Sequence, residues 1–339
     1  MTKRADLKTK FLDSAGWSKS DRKPLAGDAS GRSYERIFRN ANDTAVLLDA
    51  GPSGLENLQS FIHIADHLSK IGLSAPQILY RDQKNGYLLL EDFGDGVFAR
   101  LIQRELTLEL SLCEAAVDTL THIHCSSLPT KVQEFQPEEL ADFAAVVYEW
   151  YRKEAFPDDD LVPRFIAELT RLLALVRTPC PVLALRDYHS ENLIWLPERT
   201  GIRRVGLLDF QDAFLCHPAY DLVSFLRDAR RDISEGLSDI LIDRYIRSNK
   251  CEPADFHLAV AVYGAQRNLR ILGIFARLSR KAGKPHYLNL IPRVWRQLSI
   301  DLAHPALNDL RRIVLADLPE PTDQHLRGLR EKCTNHQDH

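Results

Sequence analysis

Two short apolar segments, with an amide before the first and an acid after the second, constrain the fold of this chain most. Leu193–Leu196 and Val205–Leu208 have the composition of β-strands, and the polar link between them contains Gly201. We therefore predict an antiparallel hairpin. In such a hairpin the start of one strand lies beside the end of the next. Asn192 and Asp209 are thus expected to meet at one mouth of the hairpin.

A second acid completes this set of polar residues. Asp187 lies five residues before Asn192 on a predicted short loop, so two carboxylates and a carboxamide converge. Mg²⁺ prefers oxygen ligands and is usually held by few protein groups together with substrate phosphates. The remaining carboxylate can orient an attacking hydroxyl and accept its proton. The Asp-x4-Asn spacing matches the His-Arg-Asp-x4-Asn catalytic loop, and Asp209-Phe210 takes the place of the Asp-Phe-Gly metal ligand. The set is typical of metal-assisted phosphoryl transfer.

The composition excludes several classes of protein. The 339 residues are 45% hydrophobic and 27% charged, with a formal charge of −3. This balance gives no net electrostatic drive toward nucleic acid or an anionic membrane, and we expect neither as a partner. No segment approaches the roughly 18 apolar residues of a membrane-spanning helix, and no apolar stretch typical of a signal peptide follows the N-terminal charges. Six scattered cysteines form no Cys-x-x-Cys pair. We expect reduced thiols and a cytoplasmic location.

The periodicity of the chain changes near residue 92. The elements expected before it are strands at 34–39, 44–50, 77–81 and 87–91 and a helix at 55–71. The helical patterns after it are 106–124, 138–154, 164–176, 220–230, 237–248, 255–280 and 292–302. We predict an α+β chain with a small β-rich N-lobe (1–92), a larger mostly helical C-lobe (93–318) and a polar tail (319–339). The tail is expected to be poorly ordered or peripheral.

The hairpin and loop motifs occur together with other segments of a known family. These segments are Gly27–Tyr34, Leu88–Gly94, Arg186–Asn192, Leu208–Ala213, Gln266–Gly273 and Gly283–Leu288. On them, over roughly residues 20 to 315, the chain resembles the aminoglycoside phosphotransferase and choline kinase superfamily. Within it the chain is most similar to the bacterial N-acetylmuramate/N-acetylglucosamine anomeric kinases of cell-wall recycling. The resemblance implies a bilobal protein-kinase-like fold.

The resemblance also implies roles for individual residues. Asp187 would be the base that positions the acceptor hydroxyl, and Asn192 and Asp209 would ligate the Mg²⁺ that bridges the phosphates of ATP. The backbone from Glu91 to Phe93 would hydrogen-bond the edge of the adenine. Asp221 matches an acid that braces the catalytic loop, and a helix N-cap is the alternative explanation for it.

A glycine-bearing turn is the candidate phosphate loop. It is not a Walker loop, because no Gly-Lys-Ser/Thr follows and a strand succeeds it. A glycine hairpin tip can still fold over phosphates, here with backbone amides from Gly27 and Gly31 and the hydroxyl of Ser30. Downstream, Asp212 is either a second acid on the metal side or a turn residue.

One departure from the kinase pattern concerns the phosphate-binding lysine. The pattern places it on the third strand, but Ala45–Ala50 contains no lysine. We expect Arg32 or Arg36, beside the glycine turn, to supply part of the missing charge. The helix partner of that lysine has only a weak candidate, Glu56.

The expected acceptor is a small molecule bound by the helical lobe. The segment 266–280 is basic, which suits an acidic or neutral sugar better than a polycationic aminoglycoside. The lactyl carboxylate of N-acetylmuramate would pair with arginine, and Arg267 and Arg270 are the candidates. A solvated basic helix face is the alternative. Tyr148, Trp150 and Tyr151 are candidates for stacking on a sugar ring or for ordinary core positions.

The leading hypothesis is ATP- and Mg²⁺-dependent phosphorylation of the anomeric hydroxyl of N-acetylmuramate or N-acetylglucosamine. One alternative is another small-molecule kinase of the superfamily, acting on an aminoglycoside, choline or homoserine. The other is a nucleotide-binding regulatory protein without turnover, which the missing lysine favours. The sequence does not define the oligomeric state.

Overall fold

The computed structural model describes residues 2–18, 20–25, 32–40, 43–152 and 160–331. The strands are β1 (Asp21–Pro24), β2 (Ser33–Asn40), β3 (Asp43–Asp49), β4 (Ile78–Asp82), β5 (Tyr87–Glu91), β6 (Val182–Ala184), β7 (Leu193–Trp195), β8 (Val205–Leu207) and β9 (Phe214–Cys216). The α-helices are α1 (Thr2–Ser14), α2 (Leu55–Lys70), α3 (Phe98–Arg104), α4 (Glu109–Cys125), α5 (Pro137–Trp150), α6 (Leu161–Leu175), α7 (Ala219–Leu226), α8 (Leu237–Asn249), α9 (Pro253–Ala282), α10 (Ile291–Asp301), α11 (Asn308–Asp317) and α12 (Asp323–Glu331). A sheet in the N-terminal region followed by mostly helical chain confirms the predicted α+β class.

The N-terminal sheet is antiparallel, with the strand order β1-β2-β3-β5-β4. Alternate residues of β3 face opposite sides because side chains alternate along a strand. Ala45 and Leu47 pack in an apolar cluster with Phe11 and Leu12 of α1, whereas Leu48 lies in register with Tyr34 and points to the other side. Helix α1 thus covers one face of the sheet.

The sequence patterns did not predict α1, because charged residues surround its few apolar ones. The structure pairs these charges with the sheet. Arg4 forms an ion pair with Asp49, and Lys8 donates to Glu35 at 2.6 Å. Helix α1 is therefore defined by its tertiary partners and not by its own periodicity.

Helix α2 agrees with its prediction. Its apolar residues recur at helical spacing, and those buried are Leu58, Phe61, Ile62, Ile64, Ala65 and Leu68. Gly72, just beyond its C-terminal end, has a φ of 86°, a left-handed conformation that glycine adopts without strain. The amphipathic pattern and its stop signal were sufficient to define this helix.

The chain divides into two compact units, one of residues 1–130 with 185–213 and one of residues 131–184 with 214–339. The first contains the five-stranded sheet, α1 to α4 and the strands β7 and β8. The second contains α5 to α12, with the 30-residue helix α9 largely buried among its neighbours. The boundary near residue 92 stays a prediction.

The C-terminal segment contains structure that its composition did not indicate. Helix α12 occupies part of the predicted polar tail, and Leu329 within it is fully buried. Leu329 and the buried His325, whose ring meets that of Tyr151 edge-on, dock this otherwise polar helix. Among the described residues, no helix is both long and apolar enough to cross a membrane. The cytoplasmic location stays a prediction.

Candidate active site

The predicted hairpin is present and brings two candidate residues to one end. Strands β7 and β8 pair antiparallel, with Leu193 opposite Leu207. Just beyond this pair, the N–H of Leu208 donates to the carbonyl of Asn192 at 3.0 Å. Asn192 and Asp209 therefore leave the hairpin at the same end, as the strand pattern predicted.

The hairpin is held in place by hydrogen bonds to two other segments. The N–H of Leu207 donates to the carbonyl of Ser74 at 2.8 Å, and the Ser74 hydroxyl donates to the carbonyl of Arg203 at 2.6 Å. On the other strand, the N–H of Trp195 donates to Gly96 at 2.7 Å. A Cβ on Gly96 would lie 2.5 Å from the Trp195 carbonyl oxygen, so only glycine permits this approach.

The loop that carries Asp187 is fixed by side-chain hydrogen bonds to backbone carbonyls. The Asn192 side chain donates from Nδ2 to the carbonyl of Asp187 at 2.9 Å, which closes the loop across five residues. Tyr188, buried beneath it, donates its hydroxyl to the carbonyl of Ala116 at 2.8 Å. Arg186 has a φ of 75°, a strained conformation for a residue with a side chain. The Asp187 side chain, half-buried, is thus presented by a rigid turn.

Asp209 also lies in a strained turn with a strong anchor. Its φ is 57°, in the left-handed region. The next residue, Phe210, is fully buried and stacks on Phe61 with ring centroids 4.9 Å apart. Gln211 then donates from Nε2 to Asp209 Oδ1 at 2.9 Å and to Asp212 Oδ2 at 3.1 Å. Backbone and side-chain contacts together define the direction of the Asp209 carboxylate.

The residues at the hairpin end suit a magnesium ion that is shared with phosphates. Because the Asn192 Nδ2 is used as a donor, its Oδ1 is the atom suited to a cation. Asn192 and Asp209 then offer two oxygen donors, the ligand type that Mg²⁺ prefers. Among the described residues, no group of three or more His, Cys, Asp or Glu side chains could hold a metal by itself. A metal at this end would need water or phosphate oxygens to complete its coordination.

The two arginines proposed to replace the missing lysine have different surroundings. Arg32 is 7% exposed, and its guanidinium nitrogen lies 3.8 Å from Asp209 Oδ1. Arg36 instead pairs with Asp92 at 2.7 Å and with Asp95 at 2.9 Å. Strand β3, in which Leu48 lies in register with Tyr34, contains no cationic side chain. Of the two arginines, Arg32 is the one beside the candidate metal ligand. Glu56, the weak candidate for the helix partner, is exposed.

The segment expected to meet adenine is held from both sides. The N–H of Glu91 donates to the carbonyl of Gln77 at 2.8 Å, and its carboxylate forms an ion pair with Arg199. The Arg199 guanidinium also lies 5.1 Å from the centre of the Phe93 ring. No hydrogen bond among the described residues uses the N–H of Phe93. Arg199 was not among the residues predicted for the site, because a loop arginine carries no signal in the sequence until its partners are known.

Three candidate residues cannot be placed. Gly27, Ser30 and Gly31 of the glycine turn lie outside the described residues, so their role stays a prediction.

The candidate acceptor residues belong to the second compact unit. Arg267 is 8% exposed and donates to the Tyr220 hydroxyl at 3.2 Å and to the Ser224 hydroxyl at 2.7 Å. Arg270 is half-buried, with its guanidinium 5.4 Å from the ring centre of Phe143. Asp221 is buried in the first turn of α7.

The aromatic candidates for stacking on a sugar are mostly core residues. Tyr148 donates its hydroxyl to Asp317 at 2.8 Å, and Tyr151 donates to the carbonyl of Pro319 at 2.8 Å. Burial raises the pKa of both phenols far above the usual range, with Asp317 adding to the effect at Tyr148. Both side chains thus take the ordinary core positions that were the alternative, and Trp150 is half-buried.

The α+β fold and the Asp187, Asn192 and Asp209 set define the class of kinase-like phosphotransferases. Residues 21–257 match the model of the phosphotransferase enzyme family, and the chain belongs to this family. It is 36% identical to an N-acetylmuramate/N-acetylglucosamine kinase of Caulobacter vibrioides, over 91% of this chain and 95% of that protein.

Solved structures share the fold at low sequence identity. A choline/ethanolamine kinase family protein from Mesorhizobium loti matches with a TM-score of 0.64 at 14% identity, over 97% of this chain and 99% of that one. The aminoglycoside phosphotransferase APH(2")-IIa, solved with streptomycin and ATP, matches with a TM-score of 0.56 at 13% identity, over 79% and 90% of the two chains. The kinase-like fold expected from the sequence is thus confirmed.

Proposed function

We propose that this protein transfers the γ-phosphoryl group of ATP to the anomeric hydroxyl of N-acetylmuramate or N-acetylglucosamine. The observation that carries the proposal is the meeting of Asn192 and Asp209 at one hairpin end, joined by hydrogen bond to the Asp187 loop. The acceptor follows from the relative in Caulobacter vibrioides, which is named for these two sugars and aligns over 91% of this chain.

Each residue of the set has a distinct task in this reaction. Asp187 accepts the proton of the sugar hydroxyl. At the same time the hydroxyl oxygen forms a bond to the γ-phosphorus, and the bond between that phosphorus and the β–γ bridging oxygen breaks. Asn192 and Asp209 would hold Mg²⁺ through Asn192 Oδ1 and the Asp209 carboxylate. When bound, this ion neutralises charge on the phosphate oxygens. The hydrogen bond from Asn192 to the Asp187 carbonyl holds the proposed metal ligand at a fixed position relative to the loop of the proposed base.

Arg32 takes the part of the missing lysine in this proposal. Its guanidinium lies near Asp209, where the phosphates would meet the metal, whereas Arg36 is occupied by two carboxylates. We expect Arg32→Ala to raise the KM for ATP and Arg36→Ala to act mainly on stability. Equal KM values for Arg32→Ala and the wild type would remove this assignment. Together with Arg32, the backbone amides of Gly27 and Gly31 and the Ser30 hydroxyl complete the proposed phosphate site.

The adenine contact is proposed at the backbone of Glu91 and Phe93. The N–H of Phe93 supports it, because no hydrogen bond among the described residues uses this donor and it can therefore donate to a ligand. For the acceptor, we propose that Arg270 pairs with the lactyl carboxylate of N-acetylmuramate. Arg267 is engaged by Tyr220 and Ser224 of α7 and is better suited to joining helices α7 and α9.

An acceptor panel with ATP and Mg²⁺ tests the function. N-acetylmuramate, N-acetylglucosamine, kanamycin, choline and homoserine would be compared by ADP release, and the product would be identified by ³¹P NMR. Methyl N-acetylglucosaminide, which keeps the sugar ring and carries a methyl group on the anomeric oxygen, is the matched negative control. Turnover of the two sugars, lost in Asp187→Asn and absent with the methyl glycoside, is the expected result. Turnover of the methyl glycoside would overturn the anomeric assignment.

A second candidate function is nucleotide binding without turnover. The observation that favours it is the absence of a lysine from β3, where kinases place their phosphate-binding cation. ATP binding with no turnover of any acceptor in the panel would favour this second function, nucleotide binding without turnover.

A further inference from the structure

A buried amide joins two carboxylates at the candidate metal site. Gln211 is 5% exposed and donates from Nε2 to Asp209 Oδ1 at 2.9 Å and to Asp212 Oδ2 at 3.1 Å. An amide nitrogen carries two protons, so both hydrogen bonds can form at once. The positions of the two acids are therefore coupled through one side chain.

The orientation of this amide is determined by its surroundings. The Gln211 Oε1 is buried and has no hydrogen-bond partner among the described residues. Rotating the amide by half a turn would not help, because Oε1 would then face two carboxylate oxygens with no proton between them. An unpaired buried acceptor is unfavourable, and such groups commonly mark functional sites. Here the amide nitrogen donates to both acids, and the amide oxygen has no hydrogen-bond partner among the described residues.

The amide lies in the middle of a row of alternating charges. Arg32 approaches Asp209 Oδ1 at 3.8 Å, the same oxygen that accepts from Gln211. At the other end, Arg186 lies 4.0 Å from Asp212 Oδ1. Arg186 directly precedes Asp187, the proposed base. The row thus runs from the proposed phosphate-binding arginine to the loop that carries the base.

We infer that Gln211 is a positioning residue that fixes the Asp209 carboxylate by Oδ1 and presents Oδ2 to the metal ion. Asp212 is the second anchor of the amide and not a metal ligand. The backbone of Asp209 is fixed by its left-handed turn and by Phe210, and the amide fixes the remaining side-chain rotation. This inference rests on the proposed function, because it assigns Asp209 to the metal.

The test measures metal binding directly. Mn²⁺ would be titrated into the full-length protein saturated with AMP-PNP, and free Mn²⁺ followed by electron paramagnetic resonance. Gln211→Met keeps the side-chain length and removes both hydrogen bonds. We expect its Mn²⁺ affinity to fall about 10- to 100-fold, as for other residues that orient metal ligands. AMP-PNP affinity in EDTA and the melting temperature should change little.

The matched control is Gln297→Met. Gln297 is also a buried glutamine with an unpartnered Oε1, and it donates to the carbonyl of Asp228 instead of to acids. We expect wild-type Mn²⁺ affinity for this variant. An equal loss of Mn²⁺ affinity in both variants would indicate a general packing effect and would overturn the inference.

A double-mutant cycle separates an anchor from a ligand. Asp212→Asn should weaken Mn²⁺ binding less than Gln211→Met does, and adding it to Gln211→Met should cause no further loss. If Gln211→Met does not fold, Asp212→Asn is compared with Asp209→Asn, and a loss of Mn²⁺ affinity as large as that of Asp209→Asn would make Asp212 a ligand. A larger loss for Asp212→Asn would make Asp212 a ligand and overturn the inference. Wild-type Mn²⁺ affinity in a folded Gln211→Met protein would also overturn it but leave the proposed function intact. A wild-type protein that binds no Mn²⁺–AMP-PNP would refute both.

Discussion

The buried acid Asp301 should make stability depend on pH in a predictable direction. Asp301, at the end of α10, is 2% exposed and pairs with Arg227 at 3.1 Å and with Asn268 Nδ2 at 3.1 Å. Burial raises its pKa from 3.8 to about 7, while Arg227 and Asn268 oppose this shift. The variant to compare is Asp301→Asn, which has nearly the same shape and does not titrate.

The size of the effect follows from the two pKa values. Below pH 4 the acid is protonated in both the folded and the unfolded chain. Between pH 4 and pH 7 only the unfolded chain ionises, so the unfolded state is increasingly favoured. A rise in pKa from 3.8 to about 7 corresponds to about 4 kcal/mol in the free energy of unfolding. The contribution of Asp301 is thus fully present below pH 4 and is lost as the pH rises to 7.

The measurement is urea unfolding of the wild type and of Asp301→Asn at several values between pH 4 and pH 8. The quantity of interest is the difference between their free energies of unfolding, because other titrating groups cancel in it. We expect this difference to move by about 4 kcal/mol in favour of the variant as the pH rises. Gln297→Met, which removes no titratable group, is the control and should give a flat difference. A flat difference for Asp301→Asn would refute the reasoning.

Three further predictions concern other residues. Asp187→Asn should lower kcat by about 10²- to 10⁴-fold with ATP affinity retained, since it removes a proton acceptor and not a nucleotide contact. Steady-state kinetics measure kcat, and nucleotide titration measures ATP affinity. An unchanged kcat would contradict this prediction. Gly264→Ala should destabilise the protein by about 1–3 kcal/mol, because a Cβ there would lie 2.7 Å from Asp301 Oδ1 and closer still to Oδ2; an unchanged melting temperature would contradict this. Burial lowers the pKa of His217 to about 4, and its Nδ1 accepts from the N–H of Ala219 at 3.0 Å. Its stabilising contribution should be present above pH 6.5 and lost as the pH falls toward 4, so acid unfolding of His217→Gln should be shallower than that of the wild type.

Local sequence patterns were sufficient to predict an element where the sequence specified both the period of its apolar residues and its boundary. Helix α2 had an apolar stripe with Gly72 as its stop, and the β7–β8 hairpin had two apolar runs around a polar link. The hairpin also determined where Asn192 and Asp209 would meet, because strand pairing fixes which ends are neighbours. The third member of the set, Asp187, followed from its short distance along the chain.

Contacts between distant segments could not be predicted in the same way. Helix α1 has too few apolar residues to indicate a helix, and it docks through ion pairs with β2 and β3. Arg32 and Arg36 were equivalent in the sequence, and only their partners distinguished them. Trp150 and its neighbours looked equally suited to a sugar site and to the core. Each of these choices depends on what lies opposite in space.

The sequence by itself determined the class of the protein, the α+β order and the three polar residues suited to phosphoryl transfer. These follow from spacing along the chain, because strand pairing and short loops carry polar residues to predictable places. The tertiary structure alone decided how those residues are held. The amide of Gln211 between Asp209 and Asp212, and the separate engagement of Arg32 and Arg36, depend on side-chain orientation and burial. Such contacts have no periodicity, so only the packed chain defines them.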